Sequence, residues 1–141
     1  MISIGEAESI KIHCVRLKKG DDVKKFITNY SAENNIQAGV ILSSVGCVIN
    51  GRIRLADGKS IREFQERLEI ISINGTLSPD GSHLHISYSD RNGIVFGGHL
   101  VEGNIINTTC ELVIGEFCQY SFKRSFDKKT GYKEIEIIER E

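Results

Sequence analysis

Apolar side chains recur at intervals of three and four residues over one stretch near the start of the chain, which predicts a helix with one buried face. They are Val23, Phe26, Ile27 and Tyr30. The pair Asp21-Asp22 stands before them and supplies an N-cap with favourable negative charge at a helix start. The pattern fades at Asn34-Asn35, so we predict that the helix ends there.

The rest of the chain consists of short apolar or alternating runs separated by turn residues, which predicts strands. The runs cover residues 9–17, 38–45, 48–55, 66–77, 82–89, 94–101, 105–116, 120–126 and 132–138. Gly46, residues 56–59 and residues 79–81 separate neighbouring runs. We therefore predict one α+β domain over residues 1–141. It consists of an antiparallel curved sheet or partial barrel of about seven or eight strands with one main helix.

Residues 82–101 predict a β-hairpin whose register can be worked out. A three-residue loop, Arg91-Asn92-Gly93, suits a type I turn followed by a glycine in the left-handed conformation. That loop places His85 directly opposite His99, with His83 two residues along on the same face. Three of the four histidines are therefore predicted to converge.

Three neutral imidazoles at this spacing can bind one transition metal and leave coordination positions open. We predict a metal site at His83, His85 and His99, with zinc, iron, nickel or manganese as candidates and no organic cofactor. In the alternative interpretation the histidines are structural and bond to neighbouring strands or subunits. His13 lies far off in the sequence and is predicted to be structural.

The position of the next strand depends on the turn before it. A turn at residues 102–104 would place Asn107, Thr109 and Glu111 beside the histidines, whereas a two-residue turn would place Ile106, Thr108 and Cys110 there. We favour the first register because it keeps Ile106, Leu112 and Ile114 in the core. The predicted ligand pocket is then Gly97, Asn107 and Thr109. Glu111 is a candidate general base, and no other catalytic residue is identified.

Composition narrows the possible functions. The 18 basic and 19 acidic residues give a net charge of −1, and the basic residues occur as scattered pairs, which argues against strong direct binding to DNA. No apolar stretch is long enough to cross a bilayer. Residues 1–12 lack the pattern of a signal peptide, so a cytoplasmic location is expected. The four cysteines form no C-x-x-C pair and are predicted to be buried free thiols.

Several segments resemble the PPC domain family, also called DUF296. Residues 75–85 (GTLSPDGSHLH) resemble its prokaryotic signature, which continues through Gly97-Gly98-His99-Leu100, Gly103-Asn104 and residues 108–111 (TTCE). Residues 15–22, 38–39, 43–46 and 66–72 also fit the family pattern. The similarity runs from about Ile10 to Phe126. Two departures are the lack of an Arg-Gly-Arg-Pro-like AT-hook and the presence of Glu66 where plant members have glycine.

The resemblance implies an antiparallel sheet with a helix, a homotrimer and, for the histidines, the metal-site pattern of the prokaryotic branch. It favours a stand-alone oligomeric binding or regulatory module with protein partners and weak or indirect association with DNA. The alternative is a metal-dependent enzyme or a metal-gated sensor for a small molecule. A third possibility is that the histidines only support a trimer interface.

Overall fold

A computed structural model describes residues 9–140 of the chain. It contains one helix and nine strands in this part. In chain order they are β1 (Ile10–Lys18), α1 (Val23–Glu33), β2 (Gly39–Arg54), β3 (Ile61–Phe64), β4 (Leu68–Ser78), β5 (Gly81–Ser89), β6 (Val95–Leu100), β7 (Ile105–Phe117), β8 (Tyr120–Asp127) and β9 (Tyr132–Glu139). The prediction that no signal peptide is present concerns mainly residues 1–8, which lie outside the described residues.

Helix α1 forms where the apolar pattern predicts it. The Asp22 carboxylate caps the helix by accepting a hydrogen bond from the Lys25 backbone N–H at 3.1 Å. The helix ends at Glu33, and Asn35 then takes a positive φ of 50°, a conformation that asparagine tolerates better than most residues. Val23 and Ile27 are fully buried, so the predicted stripe faces the core.

Seven strands form one antiparallel sheet, and β8 and β9 form a separate hairpin. The main order is β1-β7-β2-β4-β5-β6, with β3 paired to β2. Strand β6 also pairs with the end of β2, where Arg54 lies opposite His99. Strands β2, β4, β5 and β6 therefore close into a ring, and the predicted partial barrel of an α+β fold is confirmed in its coarse form. The strand count exceeds the predicted seven or eight.

Strand β2 is one strand of 16 residues, where the sequence predicted two strands separated at Gly46. Gly46 lies within this strand. Its lack of a side chain lets β2 approach β7 closely. A Cβ at this position would lie 2.2 Å from the Thr109 carbonyl oxygen on β7. Register shifts near Gly46 bend β2 and let it pair with four other strands.

Strands β6 and β7 do not form the predicted hairpin. Strand β7 pairs with β1 and β2, while β6 pairs with β5 and β2. The linker between them is fixed by the Asp22 side chain and by its own Asn104. Asp22 accepts a hydrogen bond from the Gly103 N–H at 2.7 Å, and the Asn104 amide bonds to both backbone groups of Arg52.

The core is continuous between α1 and the inner face of the sheet. Its largest fully buried side chains include Tyr88, Leu17, Ile27, Ile53, Leu84, Ile86 and Ile106. All four cysteines are free, as predicted, but Cys110 alone is fully buried and Cys14 is exposed. Among residues 9–140, no helix combines the length and apolar character needed to cross a membrane.

Candidate metal centre

The β5–β6 hairpin has the register that its loop predicts. The Asp90 N–H donates to the Ile94 carbonyl at 3.0 Å, and Gly93 takes a φ of 77° that closes the turn. His85 consequently lies directly opposite His99 across the two strands. His83 precedes His85 by two residues on the same face, so one surface of the hairpin carries all three rings.

The three imidazoles lie close enough to share one ion. Their ring centroids are 5.1 Å apart for His83 and His85, 5.4 Å for His83 and His99, and 5.8 Å for His85 and His99. One nitrogen from each ring can be chosen so that all three lie within 4.8 Å of one another. Three imidazole donors that face a cleft are typical of sites that keep coordination positions for water or a ligand.

The surroundings favour the neutral form of His83 and His99, which is the form that binds metal. Burial, followed by the positive charge of Arg54, lowers the pKa of His99 to about 4. Burial, followed by the neighbouring His85 and Arg124, also lowers the pKa of His83. The Nδ1 atom of His99 is buried and has no hydrogen-bond partner in the described part of the chain. An unpartnered imidazole nitrogen in a group of three fits a metal ligand, because buried polar atoms otherwise find partners.

The histidines line a cleft of about 790 Å³. One wall is the barrel strand surface, with Arg54, Ser72 and Ser87 beside the rings. The opposite wall is the β8–β9 hairpin, which contributes Arg124, Tyr132, Lys133 and Glu134. Asp80 and Gly81 of the β4–β5 turn complete the lining. A cleft of this size accommodates a small molecule.

Hydrogen bonds to the barrel hold the β8–β9 hairpin in place. The Arg124 backbone N–H donates to the Asp80 carboxylate at 3.0 Å, and the Arg124 guanidinium donates to the Thr76 hydroxyl at 2.9 Å. The Phe122 N–H donates to the Gln37 carbonyl at 2.9 Å, and the Phe122 ring is buried. Strand β8 is thereby fixed at both its start and its middle.

The structure brings together some of the predicted site residues and separates others. Gly97 lines the cleft with the histidines. Asn107, Thr109 and Glu111 do not, because β7 runs between β1 and β2 instead of beside β6. Glu111 lies opposite Arg16 and Val45. The favoured register therefore placed these three side chains wrongly.

Sequence reasoning missed Arg54 and Arg124. Arg54 reaches the histidines because the end of β2 pairs with β6, and Arg124 does so through the β8–β9 hairpin, which folds over the cleft. Neither residue carries a local sequence signal, and Lys123-Arg124 looked like an ordinary solvated pair.

His13 is remote from this cleft and fully bonded. Its Nδ1 lies 2.8 Å from the Tyr30 hydroxyl, and its Nε2 lies 2.9 Å from the Glu116 carboxylate. The residue as a whole is 6% exposed. These bonds support the structural role predicted for His13.

Comparison with known sequences shows two kinds of relative. The chain is 40% identical over 129 residues to the bifunctional protein GlmU of Synechococcus sp. strain JA-3-3Ab, covering 92% of this chain and 21% of that protein. It is 27% identical over 114 residues to the AT-hook motif nuclear-localized protein 2 of Arabidopsis thaliana, covering 74% of this chain and 34% of that protein. The chain thus spans about a fifth of the GlmU relative and a third of the plant one.

Solved structures of the same fold include a hypothetical protein from Salmonella, with a TM-score of 0.91 and 32% identity over 96% of this chain and 99% of that one. Another is the metal-containing protein AF0104 from Archaeoglobus fulgidus, with a TM-score of 0.75 and 26% identity over 92% of this chain and 97% of that one. The Plants and Prokaryotes Conserved (PCC) domain matches residues 4–118. This match covers most of the chain and confirms the resemblance to the PPC domain family. The chain belongs to the Plants and Prokaryotes Conserved (PCC) domain family.

Proposed function

We propose that this PCC-domain protein binds one divalent transition metal ion through His83, His85 and His99 and works as a metal-dependent ligand-binding module. The observation that carries the proposal is the convergence of three imidazole nitrogens within 4.8 Å of one another in the lining of one cleft. The description of the Archaeoglobus relative as metal-containing supports it. A metal bound here would supply a Lewis acid with positions open to the cleft.

Nitrogen donors favour zinc, nickel or iron over calcium or magnesium, and we propose zinc first because three imidazoles with an open position suit its tetrahedral geometry. Titration of metal-free protein with Co²⁺ tests this, because cobalt in a tetrahedral nitrogen site absorbs visible light. We expect saturation at one ion per chain. A His99→Ala variant should bind at least about 100-fold more weakly, since loss of even an outer-shell partner costs about 10–100-fold. Equal binding by parent and variant would contradict the proposal.

A metal-dependent enzyme is the second candidate, and the shape of the cleft favours it. The cleft is large enough for a substrate, and its acidic side chains are Asp80 and Glu134 in place of the predicted Glu111. Turnover of small esters, amides or phosphate esters by metal-loaded protein, lost in a Glu134→Gln variant that keeps its metal, would favour an enzyme. Binding of a small molecule without turnover would favour the metal-dependent ligand-binding module over the enzyme.

A homotrimer is proposed for the assembly, with a second and third copy covering an exposed apolar face. The outer side of the β1-β7-β2 sheet carries Ile10, Ile12, Leu42 and Val45, each about half exposed. A continuous apolar surface of this kind is typical of an interface. Light scattering should give three chain masses for the parent and for His85→Ala, but a smaller mass for Leu42→Asp. Ile94→Asp, on the exposed hairpin loop, is the control. Dissociation of His85→Ala would instead favour histidines that support the interface.

Association with DNA is proposed only as weak or indirect. The sequence contains no Arg-Gly-Arg-Pro motif, and its charges nearly balance. With a net charge of −1, we expect the counterion release that drives nonspecific binding to be small. We expect no shift of AT-rich or mixed duplexes at tens of micromolar protein in low salt. A shift of AT-rich DNA alone would restore direct binding as a function.

A further inference from the structure

The strand register places a guanidinium on each side of the three histidines. Arg54 on β2 lies directly opposite His99 on β6, so their side chains are neighbours on the cleft face. On the other side, Thr76 of β4 lies opposite His83 of β5, and the Thr76 hydroxyl accepts a hydrogen bond from Arg124 at 2.9 Å. The order across the cleft is therefore one guanidinium, three imidazoles and a second guanidinium.

Within the part of the chain that the structure describes, neither guanidinium has a carboxylate partner. No acidic side chain among residues 9–140 lies within 4.0 Å of the charged group of Arg54 or Arg124. The Nε atom of each is buried and makes no hydrogen bond within this range. The Arg124 guanidinium also donates to the Thr76 hydroxyl at 2.9 Å and to the Lys133 carbonyl at 3.5 Å, which are neutral acceptors. A partly buried cation without a counter-charge is costly, and a bound anion would lower that cost for both arginines.

The other charges of the cleft do not remove this excess. Asp80 and Glu134 are its acidic residues and Lys133 its third cation. The Asp80 carboxylate accepts a hydrogen bond from the Arg124 backbone N–H at 3.0 Å and forms no ion pair with the Arg124 guanidinium. With a divalent ion on the neutral histidines, the positive charge of the cleft would rise further.

We infer that this cleft is a binding site for a small-molecule oxyanion, a carboxylate or a phosphate, held between the Arg54 and Arg124 guanidiniums over the histidines. Arginine suits this role because its planar fork donates two parallel hydrogen bonds to a carboxylate or phosphate. The volume of about 790 Å³ fits a small molecule. The position of the ligand beside the histidines rests on the proposed function, the metal site. The negative charge of the ligand follows from the two arginines alone.

The β8–β9 hairpin supplies one of the two arginines of this site. Its residues, 120–139, lie beyond the segment 4–118 that matches the family. Arg124 is fixed there by Asp80 and Thr76, so its guanidinium is preorganised before any ligand arrives. Specificity among oxyanions is then set partly by this hairpin.

Calorimetric titration with inorganic phosphate and with malonate, in low-salt buffer free of other oxyanions, tests the site. The titrations use parent, Arg54→Gln, Arg124→Gln and Arg91→Gln, each with its metal content measured. Arg91 is exposed on the β5–β6 loop and outside the cleft, so Arg91→Gln is the matched control. Loss of a charged hydrogen bond should weaken binding by about tenfold or more in each cleft variant and leave the control unchanged. The stronger of the two anions identifies the ligand class.

Repeating the titrations on metal-free protein separates this inference from the proposed function. Anion binding that the arginine variants lose, with or without metal, supports the oxyanion site even if the metal proposal fails. No binding of either anion at millimolar concentration by a parent that holds its metal overturns the oxyanion site and leaves the metal site standing. Binding that persists equally in both arginine variants overturns it as well.

Discussion

His13 and the three cleft histidines are the same residue type in two different settings. Both ring nitrogens of His13 have protein partners, Tyr30 and Glu116. The cleft rings contact one another, and the buried Nδ1 of His99 has no partner in the described part of the chain. A bonded histidine contributes to folding, whereas a group of unbonded ones is available to a ligand. His13 is also buried, whereas His83 and His85 are exposed and His99 is partly buried. Bonding and burial together therefore separate the structural histidine from the candidate ligands.

Asn104 belongs with His13 on the bonded side of this comparison. It is fully buried, and its amide bonds to the Tyr88 hydroxyl, to both backbone groups of Arg52 and to the Val101 carbonyl. These bonds join β2, β5 and the linker that leads into β7. The side chain fixes the route by which the chain leaves the cleft-bearing strand β6.

The largest effect on stability is expected from Asn104→Ala. The change leaves the buried Tyr88 hydroxyl and the Arg52 backbone groups unpaired, so we expect a loss of about 3 kcal/mol in the free energy of unfolding. Urea denaturation measures it. Asn92→Ala on the exposed hairpin loop is the control and should change stability by less than about 0.5 kcal/mol. A loss as small as the control's would show that the Asn104 bonds add no net stability.

His13→Phe should have the next largest effect, about 2 kcal/mol, because it removes the ring's hydrogen bonds to Tyr30 and to the Glu116 carboxylate, which is 15% exposed. The same variant should bind metal as the parent does. Thermal denaturation and Co²⁺ titration measure the two properties. Reduced metal binding with unchanged stability would reverse the roles assigned to the two kinds of histidine.

The change of stability with pH should be smaller than the loss in His13→Phe, and it should come from the cleft histidine His99. The pKa of His99 is lowered to about 4 from 6.5 in the folded protein, so below pH 6.5 the unfolded chain takes up a proton that the native ring does not. Metal-free protein should therefore lose stability as pH falls from 6.5 towards 4. His99→Asn should show a shallower loss in urea denaturation between pH 7 and pH 5. If the loss of stability with falling pH were as steep in His99→Asn as in the parent, the lowered pKa of His99 would be contradicted.

The smallest effect is expected from removing the cleft rings themselves. Because the side chains of His85 and His99 make no hydrogen bond to any other residue among 9–140, the metal-free His85→Ala, His99→Ala double variant should stay within about 0.5 kcal/mol of the parent. Urea denaturation at pH 7 checks this. A loss comparable to that of His13→Phe would mean that these rings are also structural.

The part of the site predicted from the sequence is the part fixed by local chemistry. The loop Arg91-Asn92-Gly93 determines the register of its own hairpin, and that register alone brings His85 opposite His99. The helix was predictable for a similar reason, since Asp22 and the apolar stripe are neighbours in sequence.

The part that could not be predicted depends on pairings between distant segments. Strand β2 bends at Gly46 and pairs with four strands, and nothing in the local pattern shows that its end meets β6. That pairing brings Arg54 to the site. Strand β7 pairs instead with β1 and β2, so Asn107, Thr109 and Glu111 lie away from the cleft. Arg124 likewise arrives on a hairpin that packs by tertiary hydrogen bonds.

Metal content is the most direct test of the central claim, that the cleft histidines are ligands. Tag-free parent, the His85→Ala, His99→Ala double variant and His13→Phe are purified identically and measured by mass spectrometry, before and after reconstitution with zinc, iron, nickel and manganese. We predict about one metal ion per chain in the parent and in His13→Phe, and none in the double variant. No metal in the parent after reconstitution, or equal metal in the double variant, would contradict the account.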